Sequence, residues 1–85
     1  MNKIECPHCD GIGHFIDYNI CPTCRGRASV DDYQSVYAWM VYQIDVLNID
    51  FSIARENASF ALDRMGLLYA EADEALTLDY DNGIQ

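Results

Sequence analysis

Apolar positions in this chain fall into two regimes that meet near residue 28. From Tyr33 onward, Tyr33, Tyr37, Met40, Ile44 and Leu47 recur at intervals of 4, 3, 4 and 3, which places them on one helical face. Trp39, Tyr42, Val46 and Ile49 form a second apolar stripe beside the first. A helix apolar over two faces needs more than one neighbour to cover it. Ser29 and Asp32 have the spacing of a capping box, and Asp31 and Asp32 suit the positive end of a helix dipole.

The stretch Asn48-Ile49-Asp50-Phe51-Ser52 collects residues that compete with helix and favour caps, which predicts a break with Asp50 or Ser52 capping a second helix. Beyond it, Phe51, Ala54, Ala58, Ala61, Met65, Leu68, Ala72 and Ala75 keep the 3, 4 interval, with Leu62, Tyr69 and Leu76 alongside. Alanines at these positions let another helix approach closely. Taken to Leu78, this helix would be about 40 Å long. Residues 79–85 are expected to fray.

Residues 1–28 have no helical period and are rich in Cys, Gly and Pro. The span from Gly13 to Ile20 reads as two short strands turning near Asp17 to Asn19. The expected fold is therefore a small α protein with a metal module: a two-knuckle zinc hairpin over 1–28, then an acidic two-helix segment over 29–78 that forms a helical hairpin, then the tail 79–85. Two helices alone cannot bury three apolar stripes. A homo-oligomer or a protein partner is expected to cover the remainder, with Trp39 and Tyr42 as candidate contacts.

The chemistry of the first segment lies in Cys6-Pro7-His8-Cys9 and Cys21-Pro22-Thr23-Cys24, two C-x-x-C knuckles separated by eleven residues. A C-x-x-C turn presents two sulfurs to one ion, and zinc takes four thiolates tetrahedrally. Cys6, Cys9, Cys21 and Cys24 are thus expected to hold one structural zinc with no open position for substrate. A staple of this kind suits a chain of 85 residues, whose core is otherwise marginal. His8 is read as a solvent-exposed spacer within its knuckle. His14 is either a donor to a thiolate or an ordinary hairpin residue.

Each knuckle continues in a further pattern. The first reads Cys6-Pro-His-Cys9-Asp10-Gly11-Ile12-Gly13, a complete C-x-x-C-x-G-x-G, and the second has Ala28 in place of the last Gly. This resembles half of a DnaJ-type cysteine-rich domain, with two of its four repeats and room for one of its two zinc ions. The likeness spans residues 4–28, and without a J-domain signature it does not imply a complete cochaperone. The layout is also similar to the anti-TRAP family, small oligomeric inhibitors with two C-P-x-C knuckles. That likeness implies the ligand role of the four cysteines and no particular target.

Net charge changes the picture of partners. The chain carries −9, and residues 28–85 hold all of it, with Arg55 and Arg64 against eleven acids. Such a chain repels nucleic acid and attracts basic surfaces. Arg25 and Arg27 read as charge balance beside the thiolates rather than as phosphate contacts. Glu71, Asp73, Glu74, Asp79 and Asp81 have no base among them. Toward the C-terminal end of one long helix, acids oppose the macrodipole, which makes Glu71, Asp73 and Glu74 candidates for a partner surface imitating duplex DNA.

No nucleophile–base pair or open metal site points to an enzyme. The longest apolar run, Val36 to Tyr42, is far too short to span a membrane. No signal-peptide pattern opens the chain, so a reducing cytoplasm is expected. The leading expectation is a small acidic regulator that inhibits a basic, nucleic-acid-binding protein. The alternatives are a chaperone-like adaptor and a nucleic-acid-binding zinc finger.

Overall fold

The computed structural model describes residues 2–83. Two short strands, β1 (Ile4–Glu5) and β2 (Ser29–Val30), pair antiparallel with Ile4 opposite Val30 and Glu5 opposite Ser29. They close the base of a long loop that contains both knuckles. Three helices follow: α1 (Tyr33–Asp45), α2 (Phe51–Arg64) and α3 (Tyr69–Asp81). Helix α2 packs against both of the others.

Helix α1 begins later than the capping-box spacing suggests. Asp32 is its N-cap without a side-chain cap bond, and Ser29 belongs to β2 instead. The break after α1 falls where the sequence places it. Asn48 adopts a left-handed φ of 56° and Asp50 is the N-cap of α2, a conformation Asn accepts more readily than most residues.

The long second helix expected over 51–78 is instead two helices. Gly66, at φ 105°, stops α2 in a conformation closed to other residues at low cost. The N–H of Met65 bonds back to Ala61 and that of Leu67 to Leu62, which ties off the carbonyls of the last turn. Helix α3 restarts after Leu68. It reaches Asp81, so residues 79–81 of the expected tail are helical, while Ile84 and Gln85 lie outside the described residues.

One continuous core joins the two halves. Ala54, Ala58, Ala61, Leu62 and Met65 are buried on α2, Ala72 and Leu76 on α3, and Val36, Tyr37 and Met40 on α1. The four cysteines and Val30 belong to the same cluster. The small side chains of α2 let its neighbours approach, as the alanine spacing implies. Gln43 is also buried, where its Oε1 accepts from Asn57 Nδ2 at 2.9 Å across α1 and α2. At the far ends, the Tyr33 hydroxyl of α1 donates to the Asp79 carboxylate of α3.

Candidate metal centre

The knuckles are two copies of one backbone arrangement, fifteen residues apart. Cys6 N–H donates to Ala28 O at 3.0 Å, and Cys21 N–H to Gly13 O at 3.1 Å. Ile12 N–H reaches Cys9 O, and Arg27 N–H reaches Cys24 O, both at 3.1 Å. Left-handed φ values repeat in the same register. Asp10 and Arg25 stand at 55° and 56°, Gly11 and Gly26 at 78° and 85°, and Gly13 and Ala28 at 92° and 67°. The glycines of the C-x-x-C-x-G-x-G pattern thus sit where the chain must turn left-handed. Ala28 takes up the strain where the second copy lacks its glycine.

This doubled turn gathers the four sulfurs. Cys6, Cys21 and Cys24 are fully buried and Cys9 nearly so. Their Sγ atoms all lie within 4.8 Å of one another, with Cys6 to Cys21 at 3.8 Å and Cys9 to Cys24 at 3.6 Å. A tetrahedron of thiolates around one zinc has edges of about 3.8 Å. A disulfide needs about 2.05 Å, and all four cysteines are free. The site therefore has the donor number, burial and spacing to hold one metal ion.

Backbone amides already point at the sulfurs. Gly13 N–H donates to Cys9 Sγ at 3.2 Å, and the Ala28 N–H stands in the same relation to Cys24. The amides of Cys9 and His8 face Cys6, and those of Cys24 and Thr23 face Cys21. Burial nevertheless pushes the Cys6 and Cys21 thiols up. At Cys24 burial also raises the thiol, but the amides of Ala28 and Gly26 and the thiols of Cys9 and Cys21 together outweigh it and bring the group down to about 7. Burial and the amide donors thus place opposing demands on the thiols. A bound cation resolves them by favouring all four thiolates.

His8 is not a spacer in solvent. Its Nδ1 bonds Thr23 Oγ1 at 2.9 Å, joining the two equivalent third positions of the knuckles. Its ring lies 5.0 Å from Phe15 and 4.4 Å from Tyr42, and burial lowers its pKa. His8 thus clamps the metal hairpin to α1. The fifteen-residue offset between His8 and Thr23 was the sequence signal for this pair. His14 sits on the exposed side, bridged to Ile20 and stacked on Tyr18 at 5.9 Å.

The other candidate residues are dispersed. Trp39 is half-buried against the core and Tyr42 is covered in part by His8. Asp73 pairs with Arg55 Nε at 2.8 Å, while Glu71 and Glu74 are exposed. The break at Gly66 places Glu71 in the first turn of α3, where an acid favours the helix dipole. The macrodipole argument therefore reverses for Glu71, while Asp79 and Asp81, in the last turn of α3, still oppose the dipole.

Large apolar side chains are exposed along the helices, at Val46, Leu47, Ile53, Phe60, Leu68 and Leu78, and also at a place periodicity did not mark. Ile12, Ile16, Tyr18 and Ile20 on the metal hairpin are 61%, 100%, 84% and 67% exposed. Their loop is pinned by Phe15 N–H to Asn19 O at 2.9 Å and Tyr18 N–H to Phe15 O at 2.8 Å. Tyr18 itself stands at φ 67°, a costly position for an aromatic residue. No helix among the described residues is long and apolar enough to cross a membrane.

No known family model, curated protein or solved structure matches this chain.

Proposed function

We propose that this chain is a zinc-stabilised regulator that works by binding another protein, with zinc held by Cys6, Cys9, Cys21 and Cys24 as a structural ion. Four thiolates fill a tetrahedral shell, so the ion organises the fold and offers no position to a substrate. The repeated left-handed turns support the likeness to half of a DnaJ-type cysteine-rich domain.

The observation that carries the binding role is the hairpin tip. Ile16 is fully exposed, Tyr18 largely so and Ile12 and Ile20 by about two thirds, on a loop tied by its own backbone hydrogen bonds above the cage. Large apolar side chains presented together in water mark an interaction site more often than a solvated surface. A rigid presentation also lowers the entropy lost on association. The net charge of −9 favours a basic partner and speeds its encounter at low salt. A nucleic-acid-binding protein has that chemistry, and covering its basic surface would inhibit it. Glu71 and Glu74 remain free to contribute to that contact. The apolar tip equally suits a chaperone-like adaptor that holds unfolded segments.

Capture from nuclease-treated lysate, compared between the native chain and Ile16→Asp/Tyr18→Asp, separates these readings. The regulator reading expects one stoichiometric basic partner, weakened by salt and absent from the variant. Equal capture by the variant would remove the tip from the account. A broad, salt-insensitive set of unfolded clients would establish the adaptor instead.

A further inference from the structure

Two adjoining clefts lie along the exposed side of α1, on surface separate from the hairpin tip. The first, of about 210 Å³, runs between the second knuckle and the start of α1 and is lined by Arg25, Arg27, Asp32, Gln34 and Ser35 among others. The second, of about 190 Å³, is a trough over Tyr37, Ala38 and Val41. Gln34 and Ala38 line both, so the two form one groove that passes from basic to apolar.

Arg27 is fixed by its Nε, which donates to Cys24 O at 3.2 Å and leaves the terminal nitrogens of its guanidinium free. Arg25 is held over the same cleft by the left-handed turn at φ 56°. Neither guanidinium is ion-paired among the described residues, whereas Arg55 is already taken by Asp73. Two guanidinium forks on one wall match a carboxylate, which each can bind through paired N–H donors. In a chain of net charge −9, this pair still acts locally, because distant charges are screened beyond about 8 Å at physiological ionic strength.

We infer that this groove binds an acidic peptide segment of another protein, taking a carboxylate on Arg25 and Arg27 and a neighbouring apolar side chain in the trough of Tyr37, Ala38 and Val41. Asp32 distinguishes a peptide from a bare anion. Its carboxylate can accept a backbone N–H of a peptide, an amide donor that inorganic phosphate lacks. The trough gives the segment its second determinant, since a purely electrostatic site would have no use for an apolar wall.

The test uses the zinc-loaded full chain and amide NMR shifts. The probes are N-acetyl-Ser-Leu-Asp-Glu-amide, its Asn-Gln counterpart, a version with Gly for Leu, and inorganic phosphate. The acidic peptide is expected to shift Arg25, Arg27, Gln34, Ala38 and Val41 in one saturable set. Loss of either the carboxylates or the Leu should weaken binding about tenfold or more. Arg25→Glu and Ala38→Glu, both at exposed side chains outside the cage, should each do the same while keeping a dispersed spectrum. Absent shifts at millimolar peptide, shifts confined to other surfaces, or equal binding of the control peptides would overturn the inference. So would phosphate reproducing the same shifts with the same strength.

Discussion

At the scale of single residues, the metal hairpin is governed by backbone handedness as much as by sulfur. Gly13 and Gly26 both stand at left-handed φ, but their surroundings differ. A Cβ on Gly13 would meet Gly26 O at 2.9 Å, whereas one on Gly26 would meet only Ile20 Cγ2 at 3.5 Å. Gly26→Ala should therefore cost about 1–2 kcal/mol, the penalty of an L residue in that region. Gly13→Ala should cost clearly more, because two backbones must separate inside the cage. Denaturant midpoints of the two variants with zinc present check the order, and equal losses would contradict it.

Tyr33 supplies a pH dependence of known sign. Burial, first, and the bond to Asp79 hold its phenol well above its ordinary value, near 10 in the unfolded chain. The fold favours the neutral phenol, so this stability is complete below about pH 10 and is lost as pH rises toward the folded value. Tyr37 is shifted upward for the same first reason and adds to the trend. Tyr33→Phe is expected to flatten the fall in melting temperature above pH 10. An unchanged alkaline profile would mean that ionisation of Tyr33 contributes nothing to the loss of stability.

At the scale of elements, legibility depended on whether a break disturbed the period. The turn after α1 was readable because Asn48 and Asp50 are residues that left-handed and capping positions select. The break at Gly66 was hidden, since Met65, Leu68, Ala72 and Ala75 continue the 3, 4 interval across it. The period reports which way residues face along a helix and is blind to a restart that keeps nearly the same phase. Leu68, counted into the stripe, is 66% exposed as the N-cap of α3. The substitution Gly66→Ala tests the point by its sign. In an uninterrupted helix it would stabilise by about 1 kcal/mol. At φ 105° it should instead lower the melting temperature, corresponding to about 1 kcal/mol or more.

At the scale of the whole molecule, the cage was legible from spacing alone, because two C-x-x-C turns leave few other ways to satisfy four buried thiols. How the hairpin docks was not, since the contact of His8 with Tyr42 depends on where α1 lies in space. The surplus apolar surface expected on the helices is present at Val46, Leu47, Ile53, Phe60, Leu68 and Leu78, while Trp39 and Tyr42 find partial cover within the chain and the hairpin adds Ile16 and Tyr18, the most exposed of all. The cysteines share one continuous core with all three helices, so an ion held by them would be part of the core rather than a detached ornament. The most direct test is native mass spectrometry of the chain as purified under reducing conditions. One zinc per chain, with four thiol protons displaced, is the expected result, and Cys21→Ser should abolish or sharply weaken it. A metal-free folded chain, or one carrying disulfides between these cysteines, would contradict the account.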